Sequence, residues 1–318
     1  MDGLLVIDKP VGPTSHDAVA TMRRVFGERR IGHTGTLDPA ASGVLPLVIG
    51  RATRLARFLS ASDKRYEAVV RLGVATDTHD ALGEPTAVTG PDRLPTPDLI
   101  ARALEEFRGT FLQRPPLYSA KKIAGRRSYE IARAVTALAV DAPPAPPAVA
   151  PAAVSVTVHS LEIVGIGDNR VTLTLDCSAG FYVRSLAHEL GERLGIGAHL
   201  AALRRTASAG FTLADALPLQ DAVRDPSRAR GEVISIDRLL SGLPSAVLTD
   251  EGRRRVAQGR DVGPADLDEA FGVVFGAEGD GASGTPATIR LVDRQGQLVG
   301  IGEPAGTSGL LHPSVVLV

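Results

Sequence analysis

Residues 32–43 read Gly32-His33-Thr34-Gly35-Thr36-Leu37-Asp38-Pro39-Ala40-Ala41-Ser42-Gly43, with one carboxylate among small, turn-forming and hydroxyl residues. Pro39 fixes its own φ and pushes Asp38 toward an extended conformation. Gly32, Gly35 and Gly43 permit backbone conformations and close approaches that larger residues resist. A loop of this composition is built to present a single acid for contact. On its N-terminal side, residues 16–26 place Ala18, Val19, Met22 and Val25 at helical spacing, with Gly27 as the stop. On its C-terminal side, residues 44–49 are a short apolar run of the kind that forms a buried strand. Asp38 is therefore expected between a helix and a strand.

On either side of these elements, residues 4–8 read as a short apolar strand and residues 51–59 as a basic amphipathic helix. Residues 66–74 alternate, with Ala68, Val70 and Leu72 on one face. Residues 97–107 form a helix with Asp98 near its start, 118–123 a strand leading through Ala124-Gly125 to a helix at 128–134. Residues 142–153 are rich in Pro and Ala. Pro lacks the amide donor that a helix interior or central strand needs, so an extended surface connection is expected there. Strands at 154–164 and 171–177 follow, the second running through Gly180 into a helix at 182–194. Strands and helices mix without a regular βαβ repeat, and no glycine-rich nucleotide fingerprint follows a strand, which favours α+β over a doubly wound sheet. Asp225-Pro226 and Ser241-Gly242-Leu243-Pro244 mark a boundary within 225–245. Beyond it lie a short helix at 251–258, a turn-rich stretch at 276–286 and a hairpin at 289–301 turning at Arg294-Gln295-Gly296.

At 318 residues and 44% hydrophobic content the chain suffices for a large core and an appendage. No apolar stretch approaches the roughly 20 residues that span a bilayer, and Asp2, Asp8 and Lys9 interrupt any signal-peptide run, so a cytoplasmic protein without membrane contact is expected. Cys177 is the only cysteine, which excludes an intrachain disulfide and a cysteine-based zinc site; the seven histidines show no ligand pairing. No metal and no cofactor are expected. The formal net charge of -1 argues against polyanion binding over the whole surface. Charge is uneven, however: residues 1–65 carry ten basic side chains against six acids, and further basic groups collect at Lys121, Lys122, Arg126, Arg127 and Arg133 and at Arg204 and Arg205. Phosphate contacts need only such local stripes.

Several segments then fall in one family order. Gly3-Leu4-Leu5-Val6-Ile7-Asp8-Lys9-Pro10-Val11-Gly12-Pro13-Thr14-Ser15 is followed by the stretch from His33 to Pro46, by Lys64-Arg65-Tyr66-Glu67, and by Pro115-Pro116-Leu117-Tyr118-Ser119-Ala120-Lys121-Lys122. Next come Cys177-Ser178-Ala179-Gly180-Phe181-Tyr182-Val183-Arg184-Ser185-Leu186 and Gly197-Ala198-His199-Leu200-Ala201-Ala202-Leu203-Arg204-Arg205. Together, from residue 3 to about 206, they resemble the bacterial TruB tRNA pseudouridine synthases, which convert uridine 55 of the tRNA T loop to pseudouridine. The departure from that pattern is the Pro/Ala-rich segment.

The resemblance implies the pseudouridine synthase fold, a mainly antiparallel sheet flanked by helices with the cleft across its middle. It assigns residues 1–235 to a catalytic domain and 236–318 to a small PUA-like β-barrel. It makes Asp38 the nucleophile, toward the sugar or the uracil ring, Arg184 its cationic partner and Tyr66 the residue that stacks on the flipped base, serves as base at C5, or both. It places His33 as a wedge in the T loop, with Lys9, Tyr118, Lys121, Tyr182 and Leu203 as pocket or RNA contacts. Arg204 and Arg205 are expected on phosphates. The partner is the T arm of tRNA, met by a monomer. Glycosidases pair two carboxylates to activate water. In this isomerisation no water enters the product, and the sequence shows no evident acidic partner for Asp38. Two other readings remain: an RNA-binding or RNA-folding protein whose catalysis is dispensable, and a guide-dependent synthase of the archaeal and eukaryotic kind.

Overall fold

The computed structural model describes residues 1–90, 94–116, 122–123, 126–127, 152–268, 273–274, 288–306 and 309–318. Tyr118, Lys121, the expected helix at 128–134, most of the Pro/Ala-rich segment and the turn-rich stretch at 276–286 lie outside the described residues.

Seven longer strands form the main sheet: β1 (Gly3–Lys9), β2 (Ala41–Ile49), β3 (Lys64–Leu72), β4 (Gly109–Gln113), β5 (Val154–Gly167), β6 (Arg170–Cys177) and β7 (Ala198–Ser208). Their order is β1-β2-β7-β3-β6-β5-β4, with Leu217–Pro218 added beside β1. Pairing is antiparallel except at β2–β7 and β1 with Leu217–Pro218, which are parallel. The sheet is thus mixed and mainly antiparallel, as an α+β chain requires.

β7 lies at the centre of that sheet, yet Ala198-His199-Leu200-Ala201-Ala202-Leu203-Arg204-Arg205 has little β-branched character and shows no strand signature in sequence. Its conformation is imposed by ladders on both sides. Leu203 stands opposite Ala41 on β2 and opposite Ala68 on β3. Two further expectations are corrected. The helix read at 51–59 is a 3₁₀ segment, Gly50–Leu55, continuing as the short α-helix Ala56–Ser60. The loop bearing Asp38 does not follow a helix directly, because the strand Ile31–His33 pairs with β2 before it.

One face of the sheet is covered by helices. α1 (Ser15–Phe26) begins with a capping box between Thr14 and Asp17 and ends at Gly27 in the left-handed conformation. Its Ala18, Val19 and Met22 pack on Leu5, Ile7, Leu45 and Leu47. Across the sheet, α2 (Pro97–Glu105) and α3 (Val183–Leu194) cover Ala68, Val70, Leu173 and Leu175 with Ile100, Leu104, Leu186 and Leu190. Leu203 packs against both groups, so the two cores meet over β7.

The opposite face is divided. Leu4, Val6, Val44, Val48 and Leu55 share a core with Ile236, Leu239, Leu298, Ile301 and Leu317. Those C-terminal residues flank or belong to a second, five-stranded sheet, ordered Val273–Val274, Ser245–Val247, Ile289–Val292, Leu298–Pro304 and Leu311–Val316. The expected hairpin is present, with Gly296 at φ +79° in its turn. Arg51 and Arg54 donate to the carbonyls of Leu317 and Val316, and Arg57 reaches Glu303 and Ser314 at 2.8 Å each.

Gly43 is the tightest point between β2 and β7. It holds φ +106°, and a Cβ there would lie 2.2 Å from the Arg205 carbonyl oxygen and 2.8 Å from its amide nitrogen, both backbone atoms that cannot yield. Gly43→Ala should therefore destabilise the chain by about 2–4 kcal/mol. Urea unfolding of the two proteins checks this, and an unchanged midpoint would contradict the pairing of Gly43 with Arg205.

Candidate active site

The Asp38 loop is fastened at several points. The buried Ser15 hydroxyl, at the start of α1, donates to the Leu37 carbonyl at 2.9 Å and accepts from the Leu37 amide at 2.7 Å. Gly12 N–H donates to the Pro39 carbonyl, and Ala41 N–H to that of Asp38. The buried Arg205 side chain donates from Nε to the Val44 carbonyl at 2.7 Å and from Nη2 to the Gly35 carbonyl at 3.0 Å. Backbone groups that a loop would otherwise leave to water are thus spent on fixing its path.

Asp38 is half-buried at the edge of a cleft of about 220 Å³, against roughly 30 Å³ for one water molecule. Tyr66, Tyr182, Arg184, Leu203 and Arg205 line it with Asp38, as do Lys64, Leu37 and Phe181. Arg184 is only 6% exposed, and its Nε stands 3.0 Å from Asp38 Oδ2. It occupies the first turn of α3, where the helix dipole disfavours a cation. Neighbouring groups supply the compensation: Nη1 donates to the Thr78 carbonyl at 3.1 Å and lies 3.9 Å from Asp80 Oδ2.

Asp80 is therefore a second carboxylate on the same guanidinium, and it corrects the expectation that Asp38 stands without an acidic neighbour. Its own geometry is fixed. Oδ1 accepts from Thr78 Oγ1 at 2.7 Å and from Leu82 N at 3.0 Å, and Thr76 Oγ1 donates to the Asp80 carbonyl at 2.8 Å. Burial raises the Asp38 carboxyl above its ordinary range; Arg184 opposes that rise, Asp80 adds to it, and Lys9 opposes it from further off.

Tyr66 is buried on β3, and burial pushes its phenol up while the Arg205 guanidinium pushes back. Tyr182 caps α3, held at both backbone groups by Gln113, whose Oε1 accepts from the Tyr182 amide at 2.8 Å and whose Nε2 donates to its carbonyl at 3.1 Å. Lys64 is buried with Nζ on the Ser60 and Ser62 carbonyls, and desolvation lowers it to about 8.

The remaining expected residues are placed differently. Lys9 is 0% exposed, its Nζ donates to the Pro10 and Pro13 carbonyls at 2.8 Å each, and burial lowers it to about 8. It braces the turn after β1 and reaches no solvent-facing surface. Arg205 is likewise buried and braces the Asp38 loop, which corrects its expected place on a phosphate. Alternation along β7 turns Arg204 to the other face, where both terminal nitrogens meet the Asp8 carboxylate at 2.7 and 3.2 Å. His33 sits outside the cleft lining, edge-on to His16 with ring centroids 5.3 Å apart.

Sequence reasoning misses Asp80, Ser15, Lys64 and Gln113 as site residues. Lys64 has a signal in its place two residues before Tyr66 on an alternating strand, which puts both on one face. Asp80 has only its turn-like setting, Asp77-Thr78-His79-Asp80. Among the described residues no group of three or more His, Cys, Asp or Glu could hold a metal ion.

Comparison with known proteins adds a separate line of observation. A family model described as TruB family pseudouridylate synthase (N terminal domain) matches residues 23–183, and one described as tRNA pseudouridylate synthase B C-terminal domain matches residues 184–247. The chain is 42% identical over 319 residues to a tRNA pseudouridine synthase B of Solibacter usitatus, covering 100% of both chains. It is 41% identical over 284 residues to one of Geobacillus thermodenitrificans, covering 86% of this chain and 90% of the relative. Among solved structures, a Cbf5-Nop10-Gar1 complex matches with a TM-score of 0.72 at 26% identity, covering 99% of this chain and 85% of that one. An H/ACA RNP bound to a substrate RNA containing 2'-deoxyuridine matches with a TM-score of 0.69 at 24% identity, over 99% and 85%, a likeness of fold.

The shared guanidinium has a measurable signature. In a carbon-detected titration, Asp38 should show an apparent pKa above that of a solvated aspartate. Arg184→Gln should move it further upward, because the two carboxylates then lose the cation between them. A downward move on that substitution contradicts the assignment.

Proposed function

The chain belongs to the TruB family of pseudouridylate synthases, and from that membership we propose that it isomerises uridine 55 in the T loop of tRNA, acting without a guide. The single observation that supports this reading best is the carboxylate of Asp38 at the edge of a base-sized cleft, 3.0 Å from a buried arginine and bordered by a buried tyrosine.

The reaction breaks the N1–C1′ bond, turns the uracil and joins C5 to C1′; the C5 proton departs and N1 gains one, with no net water. A target inside a folded T arm must leave its stack to reach such a cleft, so the nucleotide flips out, at a cost of a few kcal/mol. Asp38 acts as nucleophile toward the sugar or the ring, and Arg184 holds it ionised and aimed against the cost of burial. Tyr66 offers its ring to the uracil and its hydroxyl to the C5 proton, with Arg205 beside it to stabilise the phenolate. Leu203 and Tyr182 border the base. His33 enters the T loop in the place of the extruded base, with Tyr118 and Lys121 as further RNA contacts. Residues 236–318 serve as a PUA-like RNA-binding appendage. The protein works in the cytoplasm as a monomer, and the isomerisation needs no energy source.

Incubating the purified chain with unmodified tRNA and mapping the product tests this directly. Pseudouridine should form at the T-loop position on bare tRNA; inactivity without an added guide RNA would favour the guide-dependent reading. Asp38→Asn should abolish product while tRNA affinity stays within about threefold, since it removes a group used in the transition state and leaves the contacts of binding. Equal loss of both would favour the RNA-folding reading. Tyr66→Phe keeps the ring and removes the hydroxyl, so turnover should fall by roughly 10²–10⁴ with binding retained.

A further inference from the structure

One helical turn beyond Arg184, on the same face of α3, His188 stacks on His79 with ring centroids 3.8 Å apart and planes within 6° of each other. Nδ1 of each ring is buried and has no hydrogen-bond partner among the described residues. His79 holds φ +62°, in the left-handed region that a ring-bearing residue occupies only when its surroundings impose it. Those surroundings are explicit. The His79 carbonyl accepts from the Leu200 amide of β7 at 2.9 Å, and its amide donates to the Thr76 carbonyl at 3.2 Å. The next residue is Asp80, the second carboxylate on Arg184. The stacked rings thus join the turn that carries Asp80 to the helix that carries Arg184.

On the reading of Asp38 and Arg184 as the reacting centre, we propose that His79 and His188 form a stacked positioning pair which keeps Asp80 against Arg184 and so keeps Arg184 on Asp38, and which lets the Asp80 turn go when His79 takes up a proton. The charged and titratable groups facing His79 are His188, Arg184 and Asp80. His188 and Arg184 oppose a charge on the ring, and Asp80 favours one. Burial is the largest influence, and together these hold His79 down to about 4. An imidazolium there would stand beside a guanidinium with a buried N–H lacking an acceptor. Since a histidine in the unfolded chain titrates near 6.5, the unfolded state binds the additional proton between about pH 6.5 and 4. Stability supported by the neutral His79 ring is therefore complete above that window and lost as pH falls through it.

The test uses the full chain with His79→Ala, His79→Phe and His188→Phe, steady-state kinetics on unmodified tRNA from pH 5 to 8, and thermal unfolding over the same range. His79→Ala should lower kcat at pH 8 on the order of tenfold to a hundredfold, as a misplaced reacting group does, with KM for tRNA within about twofold. Phe at either position keeps a stacked ring, and Phe at position 79 removes the group that takes up the proton. Each Phe variant should recover most of that kcat, and His79→Phe should show a shallower acid decline of both kcat and Tm than the parent. Unchanged kcat in His79→Ala, or pH profiles of kcat and Tm in His79→Phe parallel to the parent's, would overturn the proposal. A parent inactive on tRNA at every pH would count against the function proposed above, while the Tm profiles would still decide whether the stack senses protons.

Discussion

Two carboxylates share the guanidinium of Arg184, and the rest of the site is arranged around that partition. A nearly buried arginine in the first turn of a helix is unfavourable by itself, since it is desolvated and faces the positive end of the dipole. Asp38 and Asp80 supply the opposing charge from two different loops. Asp80 is tied by Thr78 and Leu82, so it acts as the fixed anchor; Asp38, at the cleft edge, is the one left to meet a substrate. Inside a low-dielectric site, an acid held by a cation that is itself held elsewhere keeps its aim without having to reorganise during reaction.

That arrangement would be of little use on a mobile loop. Ser15, Gly12, Gly43 and Arg205 fix the path of residues 35–43, and three of them reach it from other elements: the start of α1, the turn after β1, and β7. Arg205 is a good example of a basic residue whose value is internal. Its guanidinium binds two carbonyls of the loop region and stands beside Tyr66, where it influences the phenol as well. Lys9 and Lys64 follow the same pattern, each buried and bonded to carbonyls of a neighbouring turn. Lys9, Lys64 and Arg205, counted in sequence among the basic groups available to phosphates, are in this chain spent on the turns and loop that frame the cleft.

The C-terminal strands share a hydrophobic core with the rear of β1 and β2 and are tied there by Arg51, Arg54 and Arg57. These strands are therefore packed on the sheet that supports the Asp38 loop. A mutation in that shared core, at Val48 or Ile301 for instance, would act on both parts at once.

Periodicity and turn chemistry made most local elements around the site legible, along with the residue types that carry chemistry. Alternation over residues 66–74 reads as a strand, observed as Lys64–Leu72 with Tyr66 buried; helical spacing over 16–26 with Gly27 as the stop reads as a helix, observed as Ser15–Phe26; and the Gly- and Pro-containing loop around Asp38 is legible from its backbone demands. The pairing of Asp38 with Arg184 came from family resemblance, since 146 positions of chain separate them and no local rule spans that gap. Features that depend on neighbours in space were fixed by the packed fold. Ala198–Ser208 became the central strand because ladders on both sides outweigh its weak β-preference. Arg204 and Arg205, adjacent in sequence, were sent to opposite faces and to different partners. Asp80 became the partner of Arg184 through a turn whose sequence names no destination, because Coulombic and hydrogen-bond energies depend on separation in space, which a single chain of letters does not record.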